Sequence, residues 1–331
     1  LNASEQRPLL VDRYLEGAIE VDVDAISDGE HVVIGGVMEH IEHAGIHSGD
    51  SACVLPPRTL SADLQNQLME QTRTLTRELG VVGLINVQYA IYEGEIYILE
   101  VNPRASRTIP FVSKAIGVPL AKLAARVMAG KKLAELGFTT ERIPQHVAVK
   151  ESVFPFVRFQ GVDTLLGPEM KSTGEVMGID VSFAAAFAKA ELAASTDLPT
   201  SGLIFLSVRD EDKPALEPIA RDLAAMGFDL VATGGTARHI GRLGIKCESV
   251  NKVADGSPHV VDLMRGGRVA LVINTPDAAG TSDSFSIRRT ALELRLPFCT
   301  TMAGASATVE AIASLKASPL GIRALQDYHV S

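Results

Sequence analysis

The sequence predicts a chain of mixed class, in which an α+β part with a mostly antiparallel sheet and helices precedes a doubly wound, mostly parallel α/β part. In the first part, strand-like runs follow one another across short turns, which is typical of antiparallel pairing. In the second part, short apolar runs alternate with helical stretches, which is typical of parallel strands joined by helices. Small and polar residues at 194–201 separate the two patterns, so we predict one domain over 1–194 and another over 195–331.

Composition and charge restrict the classes of function. The 331 residues are 46% hydrophobic, which is enough for a core in each of two domains. The formal net charge of -9 and the lack of any Lys/Arg-rich run argue against nucleic acid or an anionic membrane as a partner. No apolar run reaches the roughly 18 residues that a membrane-spanning helix needs. We therefore expect a cytoplasmic protein.

The cysteines and the first residue bear on the compartment and on the extent of the protein. Cys53, Cys247 and Cys299 are widely spaced and form no C-x-x-C pair, which argues against a disulfide framework or a thiolate metal site. We expect buried thiols in a reducing compartment. The chain opens at Leu1 rather than at a methionine, so we also expect it to be part of a larger protein.

The first predicted elements are two strands and a helix. Residues 20–26 alternate between polar and apolar side chains, which predicts a half-buried strand, and 31–37 predicts its neighbour after a turn at 28–29. Ser61 is a favourable N-cap for a helix that ends at Gly80, and leucines at helical spacing form its apolar face. These elements favour an antiparallel sheet with a helix packed on it.

Residues 83–92 and 95–102 predict a hairpin whose register depends on the turn. A two-residue turn would mix polar and apolar pairs on both faces, whereas a three-residue turn at 93–95 separates them. We therefore predict the three-residue turn, with Gly94 or Glu95 in a left-handed conformation. The predicted cross-strand pairs are Val87 with Val101, Tyr89 with Leu99, Ile91 with Tyr97, Gln88 with Glu100 and Asn86 with Asn102.

The remaining elements follow in chain order. After residue 102 we predict an Arg- and Ser-rich loop, a helix at 119–129 and a long irregular region that includes 154–178. Beyond the linker, helices are predicted between strands at 203–208, at 230–232, near Cys247, at 269–273 and near the end of the chain. Pro214 and Pro258 lie in the first turns of two of these helices, where proline is favourable.

Polar side chains gather on one face of the predicted hairpin. Gln88, Glu100 and Asn102 offer oxygen atoms, which Mg²⁺ prefers while it keeps its other positions for water and phosphate oxygens. Arg104 and Arg107 follow directly, and guanidinium groups suit phosphate oxygens. The spacing indicates a phosphoryl-transfer site, and it leaves open the alternative of a polar sheet face with a solvated loop.

A histidine-rich segment follows the second predicted strand. On a helix, His40, His43 and His47 would share a face in the manner of a zinc site. Glycines at 45 and 49 would break that helix, so we reject zinc. The glycines favour a loop whose backbone approaches a ligand closely.

A Thr-Gly-Gly-Thr run at 233–236 lies between a predicted strand and a predicted helix. Glycines allow close approach, hydroxyl groups donate hydrogen bonds, and a helix N-terminus favours an anion, so the run predicts a phosphate-binding turn. Lys213 and Lys252 would add positive charge there, although surface lysines are equally ordinary. The run matches neither of the common phosphate-loop signatures, which makes it a weak motif.

Taken together, these residues resemble the carbamoyl-phosphate synthase large-chain family over essentially the whole chain. The similar phrases are VDRYL at 11–15, EVDVDA at 20–25, MEHIE at 38–42, HSGDS at 47–51, EVNPRASRT at 100–108, LGPEM at 166–170 and STGEVMG at 172–178. The resemblance implies the C-terminal lobe of that family's second ATP-grasp domain, followed by an allosteric domain of the methylglyoxal-synthase-like fold.

The resemblance also implies a reaction and the residues that serve it. The lobe would help to phosphorylate carbamate with ATP, giving carbamoyl phosphate and ADP, through positioning and charge neutralisation. Arg104 and Arg107 would face the phosphates and carbamate. Mg²⁺ or Mn²⁺ would be held by Gln88, Glu100 and Asn102. ATP would contact Arg13, Leu15, Glu20, Gly45, Ile46, His47 and Ser48, together with Gln88 and Glu100.

Two effector sites are implied as well. An ornithine-type activator site is matched at Glu42, Asp50, Glu151 and Thr300, although Phe298 stands where the family usually has Tyr. A site for UMP or IMP is matched at Lys213, Thr233, Thr236, Lys252 and Asn274. The following segment, 275–279, departs from the familiar form, which indicates a weaker or different nucleotide response.

The resemblance further implies partners: a glutaminase small subunit, the rest of the large subunit, and assembly into an oligomer of heterodimers. For this chain alone we expect at most weak nucleotide binding, because the upstream lobe and Gly-rich lid of ATP-grasp enzymes are not in the sequence. An isolated nucleotide-sensing module and a methylglyoxal-synthase-like lyase are the alternatives, although the Gly-Gly-Asp-Gln-Gln type segment of that lyase is missing. A biotin-carboxylase-like protein is a more distant one, since it lacks the Arg-Ala-Ser-Arg-Thr continuation.

Overall fold

The computed structural model describes residues 11, 13–159, 161–275 and 282–329. Its strands are β1 (Ile19–Asp28), β2 (Val32–His43), β3 (Cys53–Leu55), β4 (Val82–Tyr92), β5 (Glu95–Asn102), β6 (Val147–Val153), β7 (Gly174–Asp180), β8 (Leu203–Ser207), β9 (Asp229–Thr233), β10 (Glu248–Val250), β11 (Val269–Asn274) and β12 (Phe298–Cys299). Its α-helices are α1 (Ala62–Glu78), α2 (Ile109–Ile116), α3 (Leu120–Met128), α4 (Phe183–Ala193), α5 (Lys213–Ala225), α6 (Gly234–Arg242), α7 (Val260–Arg265), α8 (Ser282–Glu293) and α9 (Met302–Ala317). These elements form two sheets of opposite type, as predicted.

The first sheet is antiparallel, with the strand order β5-β4-β1-β2-β3-β6-β7 over the described residues. Leu68 of α1 belongs to the apolar cluster on one face, and Val112 of α2 and Leu120 of α3 belong to the cluster on the other. Because both faces are covered, β1 is buried throughout its centre: Asp22 and Asp24 are 2% and 0% exposed. The prediction of a half-buried strand is therefore wrong, and the alternation instead marks a buried polar layer.

The hairpin of β4 and β5 follows the predicted register only near its open end. Asn86 pairs with Asn102, Val87 with Val101 and Gln88 with Glu100, as predicted. A bulge at Leu99 then shifts the register, so that Tyr89 pairs with Ile98 and Tyr92 with Glu95. The turn consequently has two residues, Glu93 and Gly94, both with positive φ, and the predicted three-residue turn is wrong.

The helix predicted between Ser61 and Gly80 is confirmed as α1. The Ser61 hydroxyl accepts a hydrogen bond from the Leu64 amide at 3.2 Å, and Gly80 adopts a φ of +61° just beyond the last turn. The predicted helix at 119–129 is confirmed as α3, whereas α2 was not predicted.

The region predicted to be irregular contains β7, which pairs with β6 along its whole length. That prediction is wrong, and Gly178 shows why. A Cβ added at Gly178 would lie 1.9 Å from the carbonyl oxygen of Ala186 in α4. Glycine here allows a helix to pack directly against a strand, rather than marking a loop.

The second sheet is parallel, with the strand order β10-β9-β8-β11-β12 over the described residues. The chain runs outwards from β8 through β9 and β10, and then continues on the other side through β11 and β12. The strand order therefore reverses between β8 and β11, which is the arrangement of a doubly wound sheet. The predicted alternation of strands and helices is confirmed.

One apolar core joins the two sheets. It contains Val149 of β6 and Phe187 of α4 from the first part, together with Leu216 of α5 and Ala305 of α9 from the second. Leu198, in the segment predicted as a linker, is 7% exposed and belongs to the same core. The two parts are thus held together by buried apolar surface.

None of the helices in the described ranges is long and apolar enough to cross a membrane. The cysteines are all free thiols. Cys53 is buried as predicted, whereas Cys247 and Cys299 are half-buried. Burial raises the pKa of Cys53 and of Cys299 to about 12.

Candidate functional site

A cavity of about 300 Å³ lies where β1, β4 and β5 meet the turn at 45–49 and the loop at 104–108. The predicted site residues that line it are Glu20, Gly45, Ile46, His47, Ser48, Gln88, Glu100, Arg104 and Arg107. Asp22, Asn86, Ser106, Thr108, Pro168 and Glu175 line it as well. Arg13 is exposed and Leu15 is half-buried, and neither belongs to this lining; Asn102 lies on the same strand face but just outside it.

The hairpin register places Gln88 directly opposite Glu100 and Asn86 opposite Asn102. Residues two apart on a strand share a face, so these four side chains point the same way. The Gln88 amide nitrogen donates to the Ser48 hydroxyl at 2.9 Å, which leaves its oxygen for another partner. Glu100 is exposed, and within the described ranges its carboxylate has no hydrogen bond or ion pair. This set of free oxygen atoms fits a hard cation such as Mg²⁺.

The loop that carries Arg104 and Arg107 is tied to a buried carboxylate. Asp24 accepts hydrogen bonds from Thr108 Oγ1 at 2.5 Å, Ser106 Oγ at 2.8 Å and Asn86 Nδ2 at 3.0 Å. Burial raises the pKa of Asp24 to about 6, and these donors oppose the rise. The carboxylate therefore fixes the loop between the two arginines and the start of α2.

A second buried group orients Glu20 at the cavity. His40, which is 5% exposed, places Nε2 at 3.0 Å from Asp22 and Nδ1 at 3.7 Å from Glu20. Burial raises the pKa of Glu20, and the charge of His40 opposes that rise. Glu20 also accepts a hydrogen bond from the Gly45 amide at 3.1 Å, which ties the turn to β1. No group of three or more His, Cys, Asp or Glu side chains that could hold a metal ion occurs in the described part of the chain.

A buried lysine of β6 contacts the backbone at the end of the same turn. Lys150 is 0% exposed, and its ammonium group donates to the Ser51 carbonyl at 2.7 Å. It lies near Glu175. Burial raises the pKa of Glu175, and the charges of Lys150 and Arg107 oppose that rise. Glu175 Oε1 is 3.6 Å from Arg107 Nε. Sequence reasoning missed Lys150 and Glu175, because both lie in the region predicted to be irregular.

Asp22, Asp24 and His40 were also missed as site residues. Asp22 and Asp24 stand in the alternating run that predicts β1, and His40 stands in the segment considered for zinc. A polar residue at every second position of a strand was the available signal. Using that signal to find the site would have required knowing that the polar face of β1 is covered.

Three of the predicted effector residues gather at one edge of the second sheet: Thr233 and Asn274 end β9 and β11 beside Ser207 at the end of β8, and Thr236 lies in the first turn of α6. Asn274 Nδ2 donates to the Ser207 carbonyl at 3.0 Å, and Thr233 Oγ1 is 3.0 Å from Ser207 Oγ. The Val208 amide donates to Thr236 Oγ1 at 3.3 Å. Asn274 Oδ1 is buried without a hydrogen-bond partner among the residues described. This is the reversal point between β8 and β11, where open α/β sheets bind ligands.

Two lysines stand beside this edge. Lys213 Nζ is 2.5 Å from Asp210 and would be 3.8 Å from a Cβ at Gly235. Lys213 first, and Lys252 in addition, hold the pKa of Asp210 below its ordinary value, so both ammonium groups lie near one carboxylate. The segment 276–280, which covers most of the predicted departure from the family pattern, lies outside the described residues.

An acidic cluster lies where the first sheet meets the second part. Burial, and then the charges of Glu191 and Glu42, raise the pKa of Glu151 well above its ordinary value. Burial raises the pKa of Glu191 to about 7. Sequence reasoning predicted Glu42 and Glu151 but missed Glu191. Thr300 lies between β12 and α9 at the same junction, and Phe298 is half-buried in β12.

Asp50, which was predicted for the same effector site, has another set of partners. It is 1% exposed, and its two oxygens accept hydrogen bonds from the amides of Lys171 at 2.7 Å and Ser172 at 2.8 Å. The carboxylate therefore holds the chain that approaches the cavity from the 161–172 side.

The fold and the cavity define an ATP-grasp type of nucleotide-binding lobe joined to a methylglyoxal-synthase-like domain, and sequence comparisons agree. Residues 2–136 match the family described as "Carbamoyl-phosphate synthase L chain, ATP binding domain", and residues 215–300 match the "MGS-like domain". The chain belongs to the carbamoyl-phosphate synthase large-chain family.

Relatives in that family are similar over nearly the whole chain. The carbamoyl phosphate synthase large chain of Pseudomonas aeruginosa is 56% identical over 331 residues, which cover 99% of this chain and 31% of the relative. That of Methanothermobacter thermautotrophicus is 52% identical over 333 residues, with the same coverage. The chain thus spans about a third of the length of these relatives.

Two matching solved structures have lower sequence identity. A biotin carboxylase domain of a single-chain bacterial carboxylase is 20% identical, with a TM-score of 0.45 over 54% of this chain and 48% of that chain. The biotin carboxylase domain of the Hydrogenobacter thermophilus 2-oxoglutarate carboxylase, solved with MgADP and bicarbonate, is 14% identical with a TM-score of 0.44 over 55% of this chain and 46% of that chain.

Proposed function

We propose that this chain forms part of a glutamine-dependent carbamoyl-phosphate synthase, and that its first sheet helps to transfer the γ-phosphoryl group of ATP to carbamate. A carbamate oxygen attacks the γ-phosphorus, the bond between that phosphorus and the β,γ-bridging oxygen breaks, and carbamoyl phosphate and ADP result. The observation that supports this most is the register that sets Gln88 opposite Glu100 beside the loop of Arg104 and Arg107.

The residues of the cavity would act by position and charge. Arg104 and Arg107 would bind phosphate and carbamate oxygens, which gain hydrogen bonds as charge redistributes during transfer. Mg²⁺ or Mn²⁺, held by Gln88, Glu100 and Asn102, would neutralise phosphate charge when bound. The chain would supply no covalent nucleophile, since this reaction needs only alignment of the two substrates.

The turn at 45–48 and Glu20 would bind the adenosine part of ATP. The backbone of this turn is held by Glu20 and lines the cavity, so its amides lie close to any ligand there. Arg13 and Leu15 remain proposed ATP contacts that lie beside this lining rather than in it. A cytoplasmic location also stays a prediction.

The second part would bind regulatory ligands. UMP or IMP would bind at the reversal point, where the Asn274 oxygen lacks a partner among the described residues and two lysines stand nearby. An ornithine-type cation would bind the Glu42 and Glu151 carboxylates, with Thr300 beside them. A glutaminase small subunit, the rest of the large subunit and an oligomer of heterodimers complete the proposed assembly.

The metal role is tested in the complete enzyme with Glu100→Ala, which removes a carboxylate from the proposed cation set. We expect carbamoyl-phosphate synthesis to be lost while glutamine hydrolysis is largely retained, because hydrolysis does not use this cavity. Glu95→Ala, an exposed carboxylate at the turn end of β5, is the matched control and should leave synthesis unchanged. Normal synthesis by the Glu100 variant would refute the role.

The effector role is tested by calorimetric titration of UMP and IMP into the chain. We expect binding that weakens in Thr236→Ala, since Thr236 bridges β8 and α6 at the proposed site. A parallel assay for methylglyoxal formation distinguishes the lyase alternative. Turnover in that assay would overturn the assignment of the second part as a regulatory domain.

A further inference from the structure

Arg288 of α8 is the largest fully buried side chain in the described part of the molecule. Its guanidinium group meets Asp163 side-on: Nε donates to Oδ1 at 2.9 Å and Nη2 to Oδ2 at 2.5 Å. The Arg288 side chain is 2% exposed and that of Asp163 is 35% exposed. A two-point contact of this kind fixes orientation as well as distance.

The two charges of this pair compensate each other. Burial by itself would raise the pKa of Asp163, but the hydrogen bonds from Arg288 and from the Leu165 amide, together with the charges of Arg288 and Lys171, outweigh it and hold that pKa below its ordinary value. Arg288 Nη1 is buried without a hydrogen-bond partner among the residues described, so Asp163 is the anion that accounts for the burial of this guanidinium group. Removing one partner would leave a buried charge unpaired.

Asp163 belongs to the 161–172 segment, which runs from α8 to the cavity. Asp163 also accepts a hydrogen bond from the Leu165 amide at 3.1 Å, and Lys171 Nζ donates to the Leu165 carbonyl at 2.7 Å. These contacts give the segment a defined shape between its two ends. Pro168, near its middle, lines the cavity.

The far end of the segment is hydrogen-bonded to the turn that lines the cavity. The His47 amide donates to the Gly167 carbonyl at 2.8 Å. Three residues further along the turn, Asp50 accepts from the amides of Lys171 and Ser172 at 2.7 and 2.8 Å. The turn is therefore held on both sides by the segment that Arg288 orients.

We propose that Arg288, a residue of the second part, is a positioning residue for the ATP site of the first part, and that it acts through the 161–172 segment on the turn at 47–50. This inference rests on the proposed phosphoryl-transfer function. Ser48 of the same turn accepts the hydrogen bond of Gln88, so a displaced turn alters both the adenosine contacts and a proposed metal ligand.

The test uses the complete large chain assembled with its partner, and it measures ATP formation from MgADP and carbamoyl phosphate, the reverse of the proposed reaction. In Arg288→Gln and in Asp163→Asn, we expect the KM for MgADP to rise by about twofold to thirtyfold, while kcat changes less. Glu310→Gln is the matched control, because it breaks another ion pair between the two parts, Arg58 to Glu310 at 2.7 Å, that does not touch the segment. The control should leave both parameters unchanged.

The double variant Asp163→Asn/Arg288→Gln separates positioning from stability. With both charges removed, no unpaired buried charge remains, so we expect thermal stability to recover relative to either single variant. The KM for MgADP should stay raised, because the segment is still detached from α8. A wild-type KM in the single variants, or its return to the wild-type value in the double variant, would overturn the inference. Absence of ATP formation by the wild-type enzyme would instead refute the proposed function.

Discussion

Replacement of Asp24 by Asn tests the buried polar layer beneath the arginine loop. Asp24 is 0% exposed and burial raises its pKa from 3.8 to about 6. The folded protein therefore holds the proton more tightly than the unfolded chain between these values. The stabilising effect of protonation is fully present below pH 3.8 and is lost as the pH rises through about 6.

The magnitude follows from the two pKa values. The difference between 3.8 and about 6 corresponds to about 3 kcal/mol in the free energy of unfolding over the whole transition. About 2 kcal/mol of this falls between pH 4.5 and pH 7.5. Asn cannot ionise, so the free energy of unfolding of wild type minus that of Asp24→Asn should fall by that amount across the interval.

The assay is urea unfolding at a series of pH values. The chain contains no tryptophan, so unfolding is followed by far-ultraviolet circular dichroism. Asp63→Asn, which removes an exposed carboxylate in the first turn of α1, is the matched control and should give a pH-independent difference. A pH-independent difference for Asp24→Asn as well would show that Asp24 is not a buried carboxyl group with a raised pKa.

Three further predictions concern four glycines, which differ in what an added methyl group would meet. Gly178→Ala should lower the free energy of unfolding by about 3 kcal/mol or more, because the new Cβ would lie 1.9 Å from backbone of α4. Gly241→Ala in α6, where nothing lies within 4 Å, should stabilise by about 0.5–1 kcal/mol. Gly117→Ala, whose Cβ would lie 2.7 Å from the ring of His329, should destabilise more than Gly80→Ala, which has a similar positive φ in open space. Thermal unfolding measures all four variants, and equal effects at positions 117 and 80 would show that the ring does not rest on Gly117.

The hairpin shows how far local pattern predicts this structure. The predicted pairs Gln88 with Glu100 and Asn86 with Asn102 are correct. Their apolar neighbours on the opposite face are buried, and burial of one face gives the alternation of apolar and polar residues from which the register can be inferred. Leu99 and its neighbours lie on an edge strand with about half of each side chain exposed. Hydrophobic alternation carries no information there, so the bulge could not be predicted.

Other parts of the site depend on contacts that no local pattern reports. Asp163 and Arg288 are 125 residues apart, and each looks like an ordinary surface residue in its own segment. The spacing of the acidic residues in β1 shows that they share one face of the strand. It does not show that α2 and the loop before it cover that face. The second sheet was predictable because each strand and helix there repeats one simple local unit.

The core shared by the two parts has a consequence for how the protein can be recombined. Phe187 and its neighbours on α4 pack against α9, so a cut at 194–195 leaves one side of a single apolar core on each piece. A chimaera that takes its MGS-like domain from a relative would have a mismatched apolar surface unless α4 were transferred with that domain. The segment that must be exchanged as one piece is therefore larger than the MGS-like domain, and it begins before residue 194.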